Sequence, residues 1–231
     1  MSSCQTGACD IHQSQSAKST LRWVMGGLFV ALVTAGWMVP WLGYFVPLCM
    51  LGGLLPAFFV GRKWCDWWCA RGSFFESVVG LLAGDRLVPR VLRSTGFRVA
   101  VMAVLFTAFS FRITQLWGDW LALGGFFVTF LTATTVVGIA LGLIFQPRTW
   151  CAFCPIGTLS RWAGAGRAPL RISDECVGCG LCAKACPMDI APQQYAEQGL
   201  VTDGDCLKCG ACVVACPVGA LSLGQPEQQA A

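Results

Sequence analysis

The longest uncharged run sets the frame. From Trp23 to Val60 no residue carries a charge. At about 1.5 Å per helical residue, that run is nearly twice the thickness of a bilayer's hydrocarbon core, so it must fold back on itself. Pro40, Trp41, Gly43 and Tyr44 mark the turn. One helix is predicted over Leu21–Val39 and a second over Tyr44–Val60, the second bent or unwound by Pro47 and Pro56. The apolar piece Phe74–Leu82 is too short to span and is expected along the interface. Two further apolar runs predict helices over about Phe97–Leu116 and Trp120–Phe145, with Gly118-Asp119 as the tight turn. Gly138 and Gly142, four apart, predict a close helix contact.

Composition agrees with a membrane protein. Of 231 residues, 55% are hydrophobic and 12% charged, and the mean hydropathy is +0.62. The net charge of +4 is modest and no basic run stands out, which argues against a nucleic-acid partner. Basic residues do set an orientation. Lys18 and Arg22 flank the first helix, and Arg62, Lys63, Arg71, Arg86, Arg90, Arg93 and Arg98 lie between the second and third. Arg148, Arg161, Arg167 and Arg171 follow the fourth, and the two short turns carry none. The positive-inside rule then places both termini and the large loop in the cytoplasm, in a multi-pass protein of the bacterial inner membrane. His12 is the only histidine, so a bis-histidine haem within this chain is excluded.

Cysteine spacing carries the chemistry. Cys176, Cys179, Cys182 and Cys186-Pro187 spell C-x2-C-x2-C-x3-C-P, and Cys206, Cys209, Cys212 and Cys216-Pro217 repeat it. That is the spacing of bacterial two-cluster ferredoxins, in which the fourth cysteine serves the other cluster. Cys176, Cys179, Cys182 and Cys216 are expected to hold one [4Fe–4S] cluster, and Cys206, Cys209, Cys212 and Cys186 the second. Gly178, Gly180 and Gly210 let the backbone approach the inorganic core. Zinc or disulfides are the bland alternatives, and neither explains tandem motifs that each end in Cys-Pro. The expected organisation is a disordered tail over 1–20, in which Cys4, Cys9 and His12 read as incidental. A four-helix membrane domain over 21–169 follows, then a two-cluster α+β ferredoxin domain over 170–224 and a short tail over 225–231.

The membrane part repeats itself. The loop 61–72 contains Arg62-Lys-Trp64-Cys65 with Cys69 and Gly72; the loop 148–157 contains Arg148-Thr-Trp150-Cys151 with Cys154-Pro155 and Gly157. Each follows a helical hairpin, so the fold expected is two parallel-repeat hairpins with both loops on one membrane face. Cys65, Cys69, Cys151 and Cys154 are open to three readings: a third iron–sulfur centre, thiol redox chemistry, or buried structural cysteines.

These motifs together resemble the NapH/MauN-type membrane-bound polyferredoxins, which are related to the C-terminal half of NosR and to the RdxA/CcoG proteins. The resemblance covers about Leu21 to Leu223. Family loops usually read C-x3-C-P, whereas here Ala70 follows Cys69 and the second loop is one residue shorter. The resemblance implies an electron-transfer subunit that accepts electrons from membrane quinol and hands them to other redox subunits, membrane-bound or extracytoplasmic. Asp66 and Glu76 are candidate proton acceptors for such a quinone site, with Trp67 as an aromatic neighbour. Arg112 is a charge inside a predicted span, open to snorkelling or to a quinone oxygen. Two other functions stay open: a maturation factor that reduces a metal ion or thiol for a partner oxidoreductase, and a membrane anchor fed by soluble ferredoxin.

Overall fold

The computed structural model describes residues 6–84 and 86–223, with side chains from residue 19 onward. Cys4, the side chains of Cys9 and His12, and the tail 225–231 lie outside the described residues. Four segments are long and apolar enough to cross a membrane: Ser19–Met38, Pro40–Val60, Thr95–Gln115 and Trp120–Ile144.

Helix α1 (Thr6–Met38) begins inside the stretch expected to be a disordered tail. From Ala8 to Met25 there is neither glycine nor proline to stop it. A 3-10 turn (Pro40–Tyr44) returns the chain into α2 (Phe45–Leu54) and α3 (Ala57–Val60), which are separated at Leu55-Pro56. Pro47 does not interrupt α2, because it sits in the first turn, where its missing N–H had no helical partner to lose. Pro56, in mid-run, does break the helix.

Short helices α4 (Lys63–Trp67) and α5 (Ala70–Ser77) and a 3-10 turn (Val79–Leu81) follow. The apolar piece Phe74–Leu82 is split: Val78, Leu81 and Leu82 are exposed, whereas Phe75 and Val79 face inward. Phe75 is fully buried, and Phe74 meets Phe29 of α1 with ring centroids 5.3 Å apart. α5 is a wedge driven between the long helices. Gly138 and Gly142 admit this wedge: a Cβ on Gly138 would lie 2.4 Å from the Phe75 ring, and one on Gly142 3.0 Å from Val79.

Helix α6 (Arg90–Arg93) leads to α7 (Thr95–Gln115), capped by Ser94, whose hydroxyl accepts the Phe97 N–H at 3.3 Å. α8 (Trp120–Ile144) is capped by Asp119, which accepts the Ala122 N–H at 3.0 Å. Tyr44 donates to the Trp120 carbonyl at 2.9 Å, so the two short turns share one end of the bundle. At the other end lie α9 (Thr149–Phe153), α10 (Pro155–Ala163) and the C-terminal domain.

That domain runs β1 (Leu170–Ile172), α11 (Leu181–Lys184), a 3-10 turn (Pro192–Gln198), β2 (Leu200–Val201), α12 (Ala211–Val214) and β3 (Leu221–Leu223). β1 is central and antiparallel to both neighbours, with Leu170 opposite Val201 on one side and Leu223 on the other. Alternation buries Leu170 and Ile172 and turns Arg171 outward.

Candidate metal centres

Two cysteine-lined cavities occupy the C-terminal domain. Cys176, Cys179, Cys182 and Cys216 line one. Cys186, Cys206, Cys209 and Cys212 line the other. Each cavity thus takes three cysteines from one motif and the last from the other. The walls of the second are apolar, including Leu170, Met188, Ile190, Val201 and Leu207. Four soft thiols facing a dry cavity fit a [4Fe–4S] cluster. Burial pushes the Cys212 thiol up to about 12, with Cys209, Cys206 and Cys186 adding to it. Cys212 also lies within electrostatic reach of Cys182, so the two cavities adjoin.

The two motifs differ in one telling way. Gly178 has φ +67°, and its counterpart Lys208 has φ +55°; Gly219 has φ +65°, and its counterpart Asp189 has φ +51°. Left-handed backbone costs a residue with a Cβ roughly 1–2 kcal/mol. The two non-glycines are the ones held by the membrane domain. Lys208 donates to the Arg167 carbonyl. Asp189 accepts from Gln146 Nε2 at 2.5 Å and from the Val88 N–H at 3.1 Å. The second cavity therefore faces the membrane helices. The first lies away from them, with Cys179 exposed.

A buried ion network joins the two parts. Asp205, next to Cys206, is 2% exposed. It accepts two bonds from Arg98 (2.8 and 2.5 Å), one from Arg62 at 2.9 Å, and pairs with Arg161 at 2.9 Å. Burial works against its charge, but the Arg98 hydrogen bonds and the Arg62, Arg98 and Arg161 charges win and hold its carboxyl at about 2. Each cation comes from a different element: the turn after α3, α7 and α10.

The loop cysteines sit on the membrane side of this network. Arg62 donates to the Cys151 carbonyl at 2.8 Å, and Arg148 donates to the Cys65 carbonyl at 3.1 Å. Each repeat's arginine thus binds the other repeat's first cysteine, which brings the two loops side by side. Cys151 is pushed up to about 11 by burial, eased by Arg148 and raised again by Cys154 and Cys65.

The quinone-site candidates are divided. Asp66 is buried and pairs with Arg22 at 2.8 Å and Arg148 at 3.5 Å. Glu76 pairs with Arg22 at 2.6 Å and with Arg148. Trp67 closes α4 beside Asp66. Arg112 is exposed, 3.5 Å from Gln115, and lies fourteen residues beyond Arg98 on α7, about 21 Å away along the helix. It does not join the others. Sequence reasoning missed Asp205, Arg98, Arg71 and Cys49, which lies within reach of Cys65 and Cys154. The arginines flanking both loops were the available signal; nothing local marks Asp205 as buried.

Comparison with known proteins agrees with this geometry. Residues 168–217 match the family model of the 4Fe-4S dicluster domain. Residues 42–89 and 120–173, which contain the two loops, match that of the 4Fe-4S binding domain. The chain carries 4Fe-4S ferredoxin-type domains. An uncharacterized protein of Methanocaldococcus jannaschii is 29% identical over 158 residues, covering 63% of this chain and 59% of that protein. The chain thus spans less than two thirds of that relative. No solved structure matches.

Proposed function

We propose that this protein is a membrane-bound iron–sulfur electron-transfer subunit of the NapH/MauN kind. It takes electrons from membrane quinol and passes them towards a partner reductase or respiratory complex. The observation that carries this reading is the order of the parts. Apolar spans lead to the basic loops, the loops to the cavity of Cys186, Cys206, Cys209 and Cys212, and that cavity to the one with exposed Cys179. When bound, [4Fe–4S] clusters supply one-electron carriers at these cysteines.

The protein's own side chains orient this path. The arginines on Asp205 fix the second cavity against the membrane face. Their end of the bundle, with the termini and the ferredoxin domain, is cytoplasmic in this reading, because the basic residues gather there. Quinol oxidation releases two electrons and two protons. Glu76 keeps 25% of its side chain exposed and is the proton acceptor of this reading, while fully buried Asp66 holds Arg22 and Arg148 in place. Exposed Val177 and Val218 rim the first cavity and give a redox partner an apolar seat.

The test is anaerobic. The purified protein in detergent receives a menaquinol analogue and its EPR signals are followed. Reduction by quinol is expected. Signals that ignore quinol but respond to soluble ferredoxin would replace this reading with the anchor; re-oxidation by a metal ion or disulfide, without quinol dependence, would replace it with the maturation factor.

A further inference from the structure

The two ferredoxin cavities leave four buried or half-buried loop thiols unused: Cys65, Cys69, Cys151 and Cys154. Each loop alone offers two, too few for a cluster. The loops are conformational copies. Cys65 lies in α4 and Cys151 in α9, each a helix of five residues. Cys69 caps α5 and Cys154 caps α10. The glycine three residues on meets the cysteines alike in both: a Cβ on Gly72 or Gly157 would lie 3.2 Å from the first cysteine's carbonyl and 3.6 Å from the second cysteine's Cβ, with Arg62 in addition 2.8 Å from that on Gly157. The extra residue of the first loop is Trp68, which turns outward and stacks on Trp64, so the unequal spacing leaves the cysteine frame intact.

The frame is closed by arginines. Beyond the reciprocal bonds to the cysteine carbonyls, the Arg62 charge lies within electrostatic reach of Cys65. Cys65 lies within reach of Cys154, and Cys69 within reach of Cys65 and Cys151. The Gly72 N–H donates to Cys69 Sγ at 3.4 Å. Arg71 is the decisive residue. It reaches over the Trp150 ring at 4.5 Å and lies within electrostatic reach of Cys154, Cys69 and Cys151. Among the described residues it has no carboxylate partner; its Nη2 donates only to the Thr134 carbonyl, at 2.6 Å. The Nε atoms of Arg71 and of Arg62, itself 2% exposed, are buried without partners. A buried cation with no anion is costly. Four thiolates around an iron–sulfur core leave a net negative charge at that position.

We infer that Cys65, Cys69, Cys151 and Cys154 together hold one [4Fe–4S] cluster, shared between the two loops, with Arg62 and Arg71 as its counter-charges. The inference rests on the electron-transfer reading for the role of the centre and on the loops alone for its existence. Arg62 also binds Asp205, beside Cys206, so the centre adjoins the second cavity and stands between it and the membrane.

The full chain, purified anaerobically in detergent, tests this without quinol. Iron and acid-labile sulfide are expected at about twelve each per chain, with a third EPR signal after dithionite reduction. The C69S/C154S variant is expected at about eight, with the two ferredoxin signals kept, and C49S at about twelve. About eight or about ten irons in the wild type, with or without zinc, overturns the inference, as does a C69S/C154S protein that keeps about twelve. If C69S/C154S does not fold, the wild-type count still decides, and R71Q locates the centre: the third signal should move to lower potential and the other two stay. A third signal indifferent to R71Q overturns the assignment. An eight-iron protein that quinol reduces would sink this inference alone; a twelve-iron protein that ignores quinol would sink the proposed function alone.

Discussion

The ferredoxin domain and the membrane-face loops both gather cysteines from two copies of a short motif, but buried arginines crowd only the loops. Around Cys186, Cys206, Cys209 and Cys212 the wall is Leu170, Met188, Ile190, Val201 and Leu207. Around the loop cysteines Arg62, Arg71 and Arg148 stand beside the apolar core of Phe75, Trp150 and Phe153. The boundary between the two regimes falls within three residues: Asp205 faces the arginines, Cys206 the cavity, and Leu207 the apolar core. Apolar packing shapes a cavity of fixed volume but is indifferent to direction. Charged, hydrogen-bonded groups have direction, and here they fix how the ferredoxin domain meets the helices.

Substitutions on either side of Cys206 sharpen that contrast. The largest effect is expected for Asp205→Ala, which strands Arg62 and Arg98 in the interior. A loss of about 3–5 kcal/mol should show as a fall in unfolding temperature in detergent and as protease release of the C-terminal domain. An unchanged melting profile would mean the clamp is not what joins the two parts. Leu207→Ala should cost about 2–5 kcal/mol through lost packing and a cavity, and should lower iron retention in the second site with no release of the domain. Gly138→Ala pushes a methyl into the Phe75 ring and should cost about 1–3 kcal/mol. The same change in a Phe75→Leu background should cost less, which a double-mutant cycle reads directly. The smallest effects concern the left-handed positions. Gly178→Ala should cost about 1–2 kcal/mol, whereas Lys208→Gly should stay within about 1 kcal/mol, because relief of strain offsets the lost bond to Arg167.

The same contrast decides what could be read in the sequence. The four apolar helices are legible because a membrane demands about twenty apolar residues in a row, which is a local pattern. The cysteine motifs are visible because neighbouring cysteines within each lie three or four residues apart. The Asp205 clamp is not local: its partners Arg62 and Arg98 are 143 and 107 residues away. α5 misled for a related reason. The apolar run starting at Phe74 is short, and only the glycines of α8, far along the chain, show that its Phe75 and Val79 face inward. The start of α1 is hidden because its first turns are polar, and polar composition alone does not separate a helix from a disordered tail.

The most direct test of the central claim is to mix the oxidised, anaerobic full-length protein in liposomes with a menaquinol analogue and record EPR spectra over time. The account predicts that quinol alone brings up the reduced signals of the ferredoxin-type centres. Signals that appear only with dithionite would contradict it.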